Sequence, residues 1–247
     1  MKRTVRRRKQ LIACVSVPTV LIGAIGGSAA IGRGNESERT TIPLADASVI
    51  VEVNATDGDA GLQVFVDAEA WKEIQVFSPT GRKVLDVQTR GRLRNHGLTE
   101  LFSESSEPPF DEFPLRKFKR LFPEGKYRIR GTTIEGDRIA GGAKLTHDIP
   151  DGPEITMPED GDVVPANAAV AQWTSVTGTG GINIVGYRVI VEREDPLRVF
   201  SVDLPRTADS MTIPPEFLKP GIEYKLEVAA IERSGNQTLT EISFTVE

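Results

Sequence analysis

The 247 residues carry 30 Lys and Arg against 35 Asp and Glu, a formal charge of −5, and aromatic residues make up only 6%. Six of the cations (Lys2, Arg3, Arg6, Arg7, Arg8 and Lys9) lie among the first thirty positions, where no acid occurs, so 24 cations face 35 acids in the remainder, a formal charge of −11. A body of that sign is a poor partner for nucleic acid or an anionic membrane through its overall field, and only local cationic patches stay open to such contacts. The length leaves room for two domains of about 100 residues each. The 23 Gly and 16 Pro suit short strands and turns better than helices.

Residues 1–30 have the layout of an export signal: a basic segment, an apolar run from Leu11, and small residues ending at Ala29 and Ala30. The run approaches the length that an uncleaved anchor needs, while Pro18, the glycines and the small-residue ending favour cleavage. Either reading, a signal peptide or an N-terminal membrane anchor, places the body outside the cytoplasm: secreted, periplasmic or at the cell surface. Membrane contact is expected only through this segment, and only if it is kept. Cys14 is the sole cysteine, so a cleaved product has neither disulfides nor thiol chemistry. A polar, flexible segment is expected over 31–43. Asn35, Asn54 and Asn236 each open an Asn-X-Ser/Thr sequon.

From residue 44 the pattern becomes one of alternation. Ser48–Asn54, Leu62–Asp67, a segment from Trp71 to Phe77, and Lys83–Gln88 read as strands about ten residues apart with turn chemistry between them. Asn54, Asp57 and Asp59 place oxygen ligands in one Gly-containing turn and make a weak candidate calcium site, although such turns also arise from backbone geometry alone. Over 90–120 the pattern departs into an expected helical insert. Leu98, Leu101 and Phe102 suggest one short helical face, and Leu115, Phe118, Leu121 and Phe122 a second, after Pro114 at a helix start. Arg116, Lys117, Lys119 and Arg120 surround Phe118 and are the candidate partner-binding residues. Leu121-Phe-Pro-Glu-Gly-Lys-Tyr127 then feeds another alternating run.

That stretch has an echo. Leu218-Lys-Pro-Gly-Ile-Glu-Tyr224 repeats its leucine, proline, glycine and tyrosine in order, and Tyr224, Leu226, Val228 and Ala230 alternate with polar neighbours. A tyrosine after such a turn can return its hydroxyl to nearby backbone and lock a sandwich crossover. With Trp173 on a preceding strand, Gly186–Val191 as the next, and Ser210–Pro214 before the corner, residues 153–246 resemble a fibronectin type III domain. The first part resembles immunoglobulin-like domains only in general. The expected fold is therefore all-β, two immunoglobulin-like β-sandwiches over 44–149 (insert at 90–120) and 150–247, the second fibronectin type III-like. Asp148–Pro153 joins them without a Ser- or Gly-rich tether, which predicts limited hinge motion.

Chemistry is sparse. His96 and His147 are the only histidines, and neither stands in a close metal-ligand cluster. No nucleophile elbow, phosphate-cradling loop or HExxH occurs. The expectation is a non-enzymatic interaction or scaffold protein without a cofactor, binding a protein partner through sandwich loops or the insert. The alternative is an accessory carbohydrate-binding protein of the cell surface, which would need Trp71, Trp173 or another aromatic exposed as a platform. No nucleic-acid partner is expected.

Overall fold

A computed structural model describes residues 40–247. The expected signal or anchor, the Asn35 sequon and most of the expected flexible segment lie outside the described residues. Fifteen strands, two short α-helices and one 3-10 turn (Thr179–Gly181) follow. The first half holds β1 (Thr41–Pro43), β2 (Asp46–Asn54), β3 (Asp59–Phe77), β4 (Lys83–Gln88), α1 (Leu93–His96), β5 (Leu98–Glu104), α2 (Leu115–Leu121), β6 (Gly125–Thr133) and β7 (Arg138–Leu145). The second holds β8 (Ile155–Met157), β9 (Val163–Val164), β10 (Val170–Trp173), β11 (Ile184–Arg193), β12 (Arg198–Pro205), β13 (Ser210–Thr212), β14 (Glu223–Glu232) and β15 (Gln237–Val246). The fold is all-β with a small helical insert, and its sheets pack in sandwich-like layers.

Alternation sets the layers. In β6, Tyr127 and Ile129 are buried while Lys126, Arg128 and Arg130 are exposed. In β2, Val49, Val51 and Val53 point inward. A strand presents successive side chains to opposite faces, so each of these runs offers one apolar face to a core. Two cores result. One gathers Val51, Val66, Trp71, Ile74, Tyr127, Ile129 and Leu145. The other gathers Trp173, Tyr187, Val189, Ile213, Tyr224, Leu226 and Phe244, between a three-stranded sheet (β13-β10-β8) and the larger sheet.

Strand β3 is longer than the two runs expected from its sequence. It spans 19 residues without interruption. Its first part pairs with β2 and β5, and its last part pairs with β4 and β6. Register shifts between Asp67 and Trp71, and between Trp71 and Glu73, mark where it changes partners, as bulges do. The expected helix over Leu98–Phe102 is instead strand β5, antiparallel to β3. Apolar spacing alone did not distinguish the two; the unpaired edge of β3 did, because it offers hydrogen bonds to a chain that must lie against it. The end of the expected flexible segment is likewise ordered, since Thr41–Pro43 pairs in parallel with β7.

Both tyrosines of the echo return their hydroxyls to nearby backbone. The Tyr127 hydroxyl donates to the Pro123 carbonyl at 3.2 Å. The Tyr224 hydroxyl donates to the Phe217 carbonyl at 3.2 Å and accepts from the Lys219 N–H at 2.9 Å. Both rings are buried, and Tyr224 stacks on Phe244 with centroids 5.7 Å apart. Burial pushes the Tyr127 hydroxyl up to about 12, which keeps it a donor across the physiological range. Tyr224→Phe, which loses two bonds of about 1 kcal/mol each, is expected to lower stability by about 2 kcal/mol in urea denaturation, and Tyr127→Phe by about half that.

The halves are joined by more than their linker. Strand β15 pairs in parallel with β2, Gln237 opposite Glu52, Thr238 opposite Val53 and Leu239 opposite Asn54. The larger sheet therefore runs through both halves as twelve strands. Beside this seam Gly152 approaches so closely that a Cβ there would stand 2.9 Å from the Ala55 Cβ and 2.8 Å from the Thr240 hydroxyl.

Candidate functional site

Three features compete as the site: the seam, the turn after β2, and helix α2. The seam is the most deeply built. Asn236, at 0% exposure, uses its whole amide. Its Oδ1 accepts from the Val51 N–H at 2.8 Å, and its Nδ2 donates to the Thr146 carbonyl and hydroxyl at 3.0 Å and to the Asp148 carbonyl at 3.1 Å. The Thr238 hydroxyl donates to the Pro150 carbonyl at 2.6 Å. The side chains of Asn236 and Thr238 thus hold the linker's backbone, and Thr238 supplies the partner of the buried Pro150 carbonyl.

Next to Asn236 lies a carboxylate. Glu52 is 2% exposed and accepts from the side-chain amides of Gln63 (2.9 Å) and Gln237. Gln63 also donates to Glu104 at 2.9 Å. Carboxylate oxygens of Glu52, Glu104 and Glu107 lie within 4.8 Å of one another. Burial, then the charge of Glu104, pushes Glu52 up to about 7, with a further push from Glu227; the amides of Gln237 and Gln63 pull the other way. Three carboxylates at this spacing offer hard oxygen ligands, but an acidic cluster relieves its repulsion equally well by keeping a proton, and the raised Glu52 value supports that outcome.

Farther along the same seam, Lys225 is the cation of an acidic group. It bonds Glu227 and lies 3.7 Å from both Glu192 and Glu241. Burial lowers its proton affinity, but Glu227, Glu241 and Glu192 outweigh that and hold it above the ordinary lysine range. Burial raises Glu192 as well, against the attraction of Lys225.

The turn residues Asn54, Asp57 and Asp59 occupy the end of β2 and the start of β3. Asn54 is buried, and its Oδ1 accepts from the N–H groups of Thr56 (2.9 Å) and Asp57 (3.1 Å), the geometry of an Asx turn. Its Nδ2 donates to Glu241 of the second half at 3.1 Å. A cation at this turn would have to draw on an oxygen already bonded twice. The sequons at Asn54 and Asn236 both sit on buried side chains, where a glycan has no room.

Helix α2 carries Arg116, Lys117, Lys119 and Arg120. Phe118 is buried in the first core and meets Phe122 edge-on at 5.0 Å, which fixes the helix to the body. Arg116, Lys117 and Arg120 are exposed, Lys119 is half-buried, and Leu121 beside them is 58% exposed. No acid among the described residues pairs with any of the four. Trp71 and Trp173 are core residues, as are Tyr127, Tyr187 and Tyr224. His96 ends α1, and His147 lies 2.9 Å from the Phe122 carbonyl; neither joins the acidic cluster at Glu52. The sequence marked Asn236 only as a sequon, and Glu52, Gln63 and Gln237 not at all; polar residues inside otherwise alternating strands were the only sign of the seam. Among the described residues no helix is long and apolar enough to cross a membrane.

No protein-family model matches the chain, and no curated protein does. Among solved structures it is similar to a two-domain fibronectin type III segment of chicken tenascin, at 11% identity over 82% of this chain and 98% of that one, with a TM-score of 0.30. It is also similar to the FN1–FN3 domains of chicken CNTN1, at 13% identity over 83% of this chain and 65% of that one, with a TM-score of 0.31.

Two outcomes follow for the seam. Asn236→Ala leaves the buried Val51 N–H without its acceptor and frees the part-buried Thr146 and Asp148 carbonyls, and is expected to cost about 2 kcal/mol in denaturant unfolding. Because Glu52 holds its proton more tightly when folded, its contribution is complete below its ordinary value of 4.5 and is lost as pH rises through about 7. The melting temperature is therefore expected to fall between pH 5 and 8. Glu52→Gln, which keeps an acceptor for Gln63 and Gln237, should flatten most of that slope and melt higher than the parent at pH 8. Glu192, raised in the same sense, accounts for a residual slope.

Proposed function

We propose that the chain is a non-enzymatic extracytoplasmic interaction or scaffold protein. It consists of two immunoglobulin-like sandwiches, the second fibronectin type III-like, and docks an acidic protein partner through helix α2. The observation that carries this reading is the helix itself: four cations without acid partners among the described residues, beside an exposed Leu121, on an element anchored by Phe118. Free cations around an apolar contact suit a protein surface of opposite charge, where steering comes from the charges and residence from the buried leucine. The seam supports the scaffold half of the reading. A partner bound on the first half is held at a fixed orientation to the second, because the sheet and its buried amides leave the linker no freedom to swing. The two-sandwich reading is supported by the paired cores and the two tyrosine corners. The extracytoplasmic location rests on the layout of residues 1–30.

The test is affinity capture from an envelope extract with the purified chain and with a variant reversed at Arg116, Lys117, Lys119 and Arg120. A specific protein retained by the parent and lost by the variant is the expected result. Equal capture by both would remove α2 from the proposal. Leu121→Ser offers a separate check: it should shorten the lifetime of the complex several-fold with little change in association rate.

A further inference from the structure

The outer face of β4, β3, β6 and β7 runs against the charge of the body. Lys83, Lys126, Arg128, Arg130, Arg138 and Lys144 all stand exposed on it. Register places Lys126 level with Lys144, Arg128 with Phe77, and Arg130 with Gln75 on one side and Ala140 on the other. On the β7 side the arginines stand opposite the small residues Gly142 and Ala140, and Arg130 lies over the Phe77 ring at 5.9 Å.

Over residues 73–77 of β3, where the four strands lie side by side, two acids share this face, and both are engaged by neighbours on it. Asp86 pairs with Lys83 at 2.6 Å and accepts from Gln75; Glu73 accepts from Gln75 at 2.7 Å and from Gln88 at 3.3 Å. Arg128, Arg130, Lys126, Arg138 and Lys144 have no acid partner among the described residues. At the Glu73–Gln88 end the face opens into a cleft of about 520 Å³, where Lys72, Arg90 and Arg94 add three more cations. Residues two apart along a strand are separated by about 7 Å, so cleft and face together make a cationic track about 20 Å long or more.

We propose that this track binds a linear acidic polysaccharide. Arg128, Arg130, Lys126 and Lys144 would hold its carboxylate or sulfate groups along the face, with Lys72, Arg90 and Arg94 holding the next ones in the cleft. The pattern suits repeated anions on an extended chain, and the guanidinium forks match planar or trigonal oxyanions. Single-stranded nucleic acid would use exposed aromatic rings to stack its bases. Every Trp and Tyr is buried, and Phe77, the ring among the cations, is covered by Arg130. A membrane-binding face would add large apolar side chains; the exposed ones, Leu93 and Leu121 among them, lie off these four strands. The same lack of rings leaves neutral sugars without a stacking surface, so charge is the recognition element.

The experiment measures binding of the full chain to alginate, dextran sulfate, uncharged dextran and phosphatidylglycerol vesicles across a salt series. Parent and variants share the same basic N-terminus, so differences between them report the face. Expected are salt-sensitive binding to both acidic polymers and none to uncharged dextran. Arg128→Glu/Arg130→Glu/Lys144→Glu should bind the acidic polymers at least about tenfold more weakly, with a shallower salt slope. Reversal of the four α2 cations should change that affinity less than about twofold. Arg128→Gln/Arg130→Gln/Lys144→Gln, an uncharged set at exposed positions, should show the same direction of loss and guards against a folding artefact. Undiminished binding by both face variants, failure to bind either polyanion, or binding confined to the vesicles would overturn the proposal.

Discussion

Everything in this structure turns on a buried amide. Asn236 sits at the start of β15 where the linker meets β2, and backbone groups from both converge on it: Val51 N–H from β2, and Thr146 C=O and Asp148 C=O from the chain leading into the linker. Burying such groups without partners costs far more than the bonds themselves contribute. The chain therefore has a narrow choice at this point: it either keeps an amide in this place or opens the seam to water. Holding it closed lets β15 lie against β2 and extends one sheet through both halves. Two small cores, each modest by itself, then share a wall.

Charge follows the same division. Acids collect along the seam, where Glu52, Glu104 and Glu107 cluster and Lys225 answers Glu192, Glu227 and Glu241. Cations collect on the outer face of the first half and on α2. The formal −11 of the body beyond residue 30 thus averages two surfaces of opposite character. A net figure says how the molecule moves in a distant field; it does not say what any one face can hold.

Much of the strand pattern was legible in the sequence, because alternation is imposed by the geometry of a strand and the corner tyrosines must reach backbone. Tyr127 and Tyr224 make the bonds their spacing implied, and Trp173 packs against Tyr187 at 5.4 Å in the second core. Leu98–Phe102 misled, since apolar spacing in so short a run fits a helix or a strand, and only the free edge of β3 decides between them. The seam was invisible for a related reason. Glu52 and Gln237 are 185 residues apart, and each reads locally as the outward, polar position of its own strand. Pairing of β15 with β2 sets them opposite each other, and Gln63 of β3 closes on the same carboxylate. The cationic face was hidden in the same way: Lys83, Arg128 and Lys144 come from three strands, whereas Arg116–Arg120 is contiguous and so stood out.

The seam's consequence is cooperativity, and the two tryptophans report it without added labels, since Trp71 belongs to the first core and Trp173 to the second. The decisive measurement is equilibrium urea unfolding of Trp71→Phe and Trp173→Phe, each leaving one reporter, in the parent background and with Asn236→Ala. Coincident transitions in the parent background, separating when Asn236 is removed, are the expected result for halves joined through a buried amide. Two transitions already separate with Asn236 in place would contradict it and leave the halves as independent neighbours.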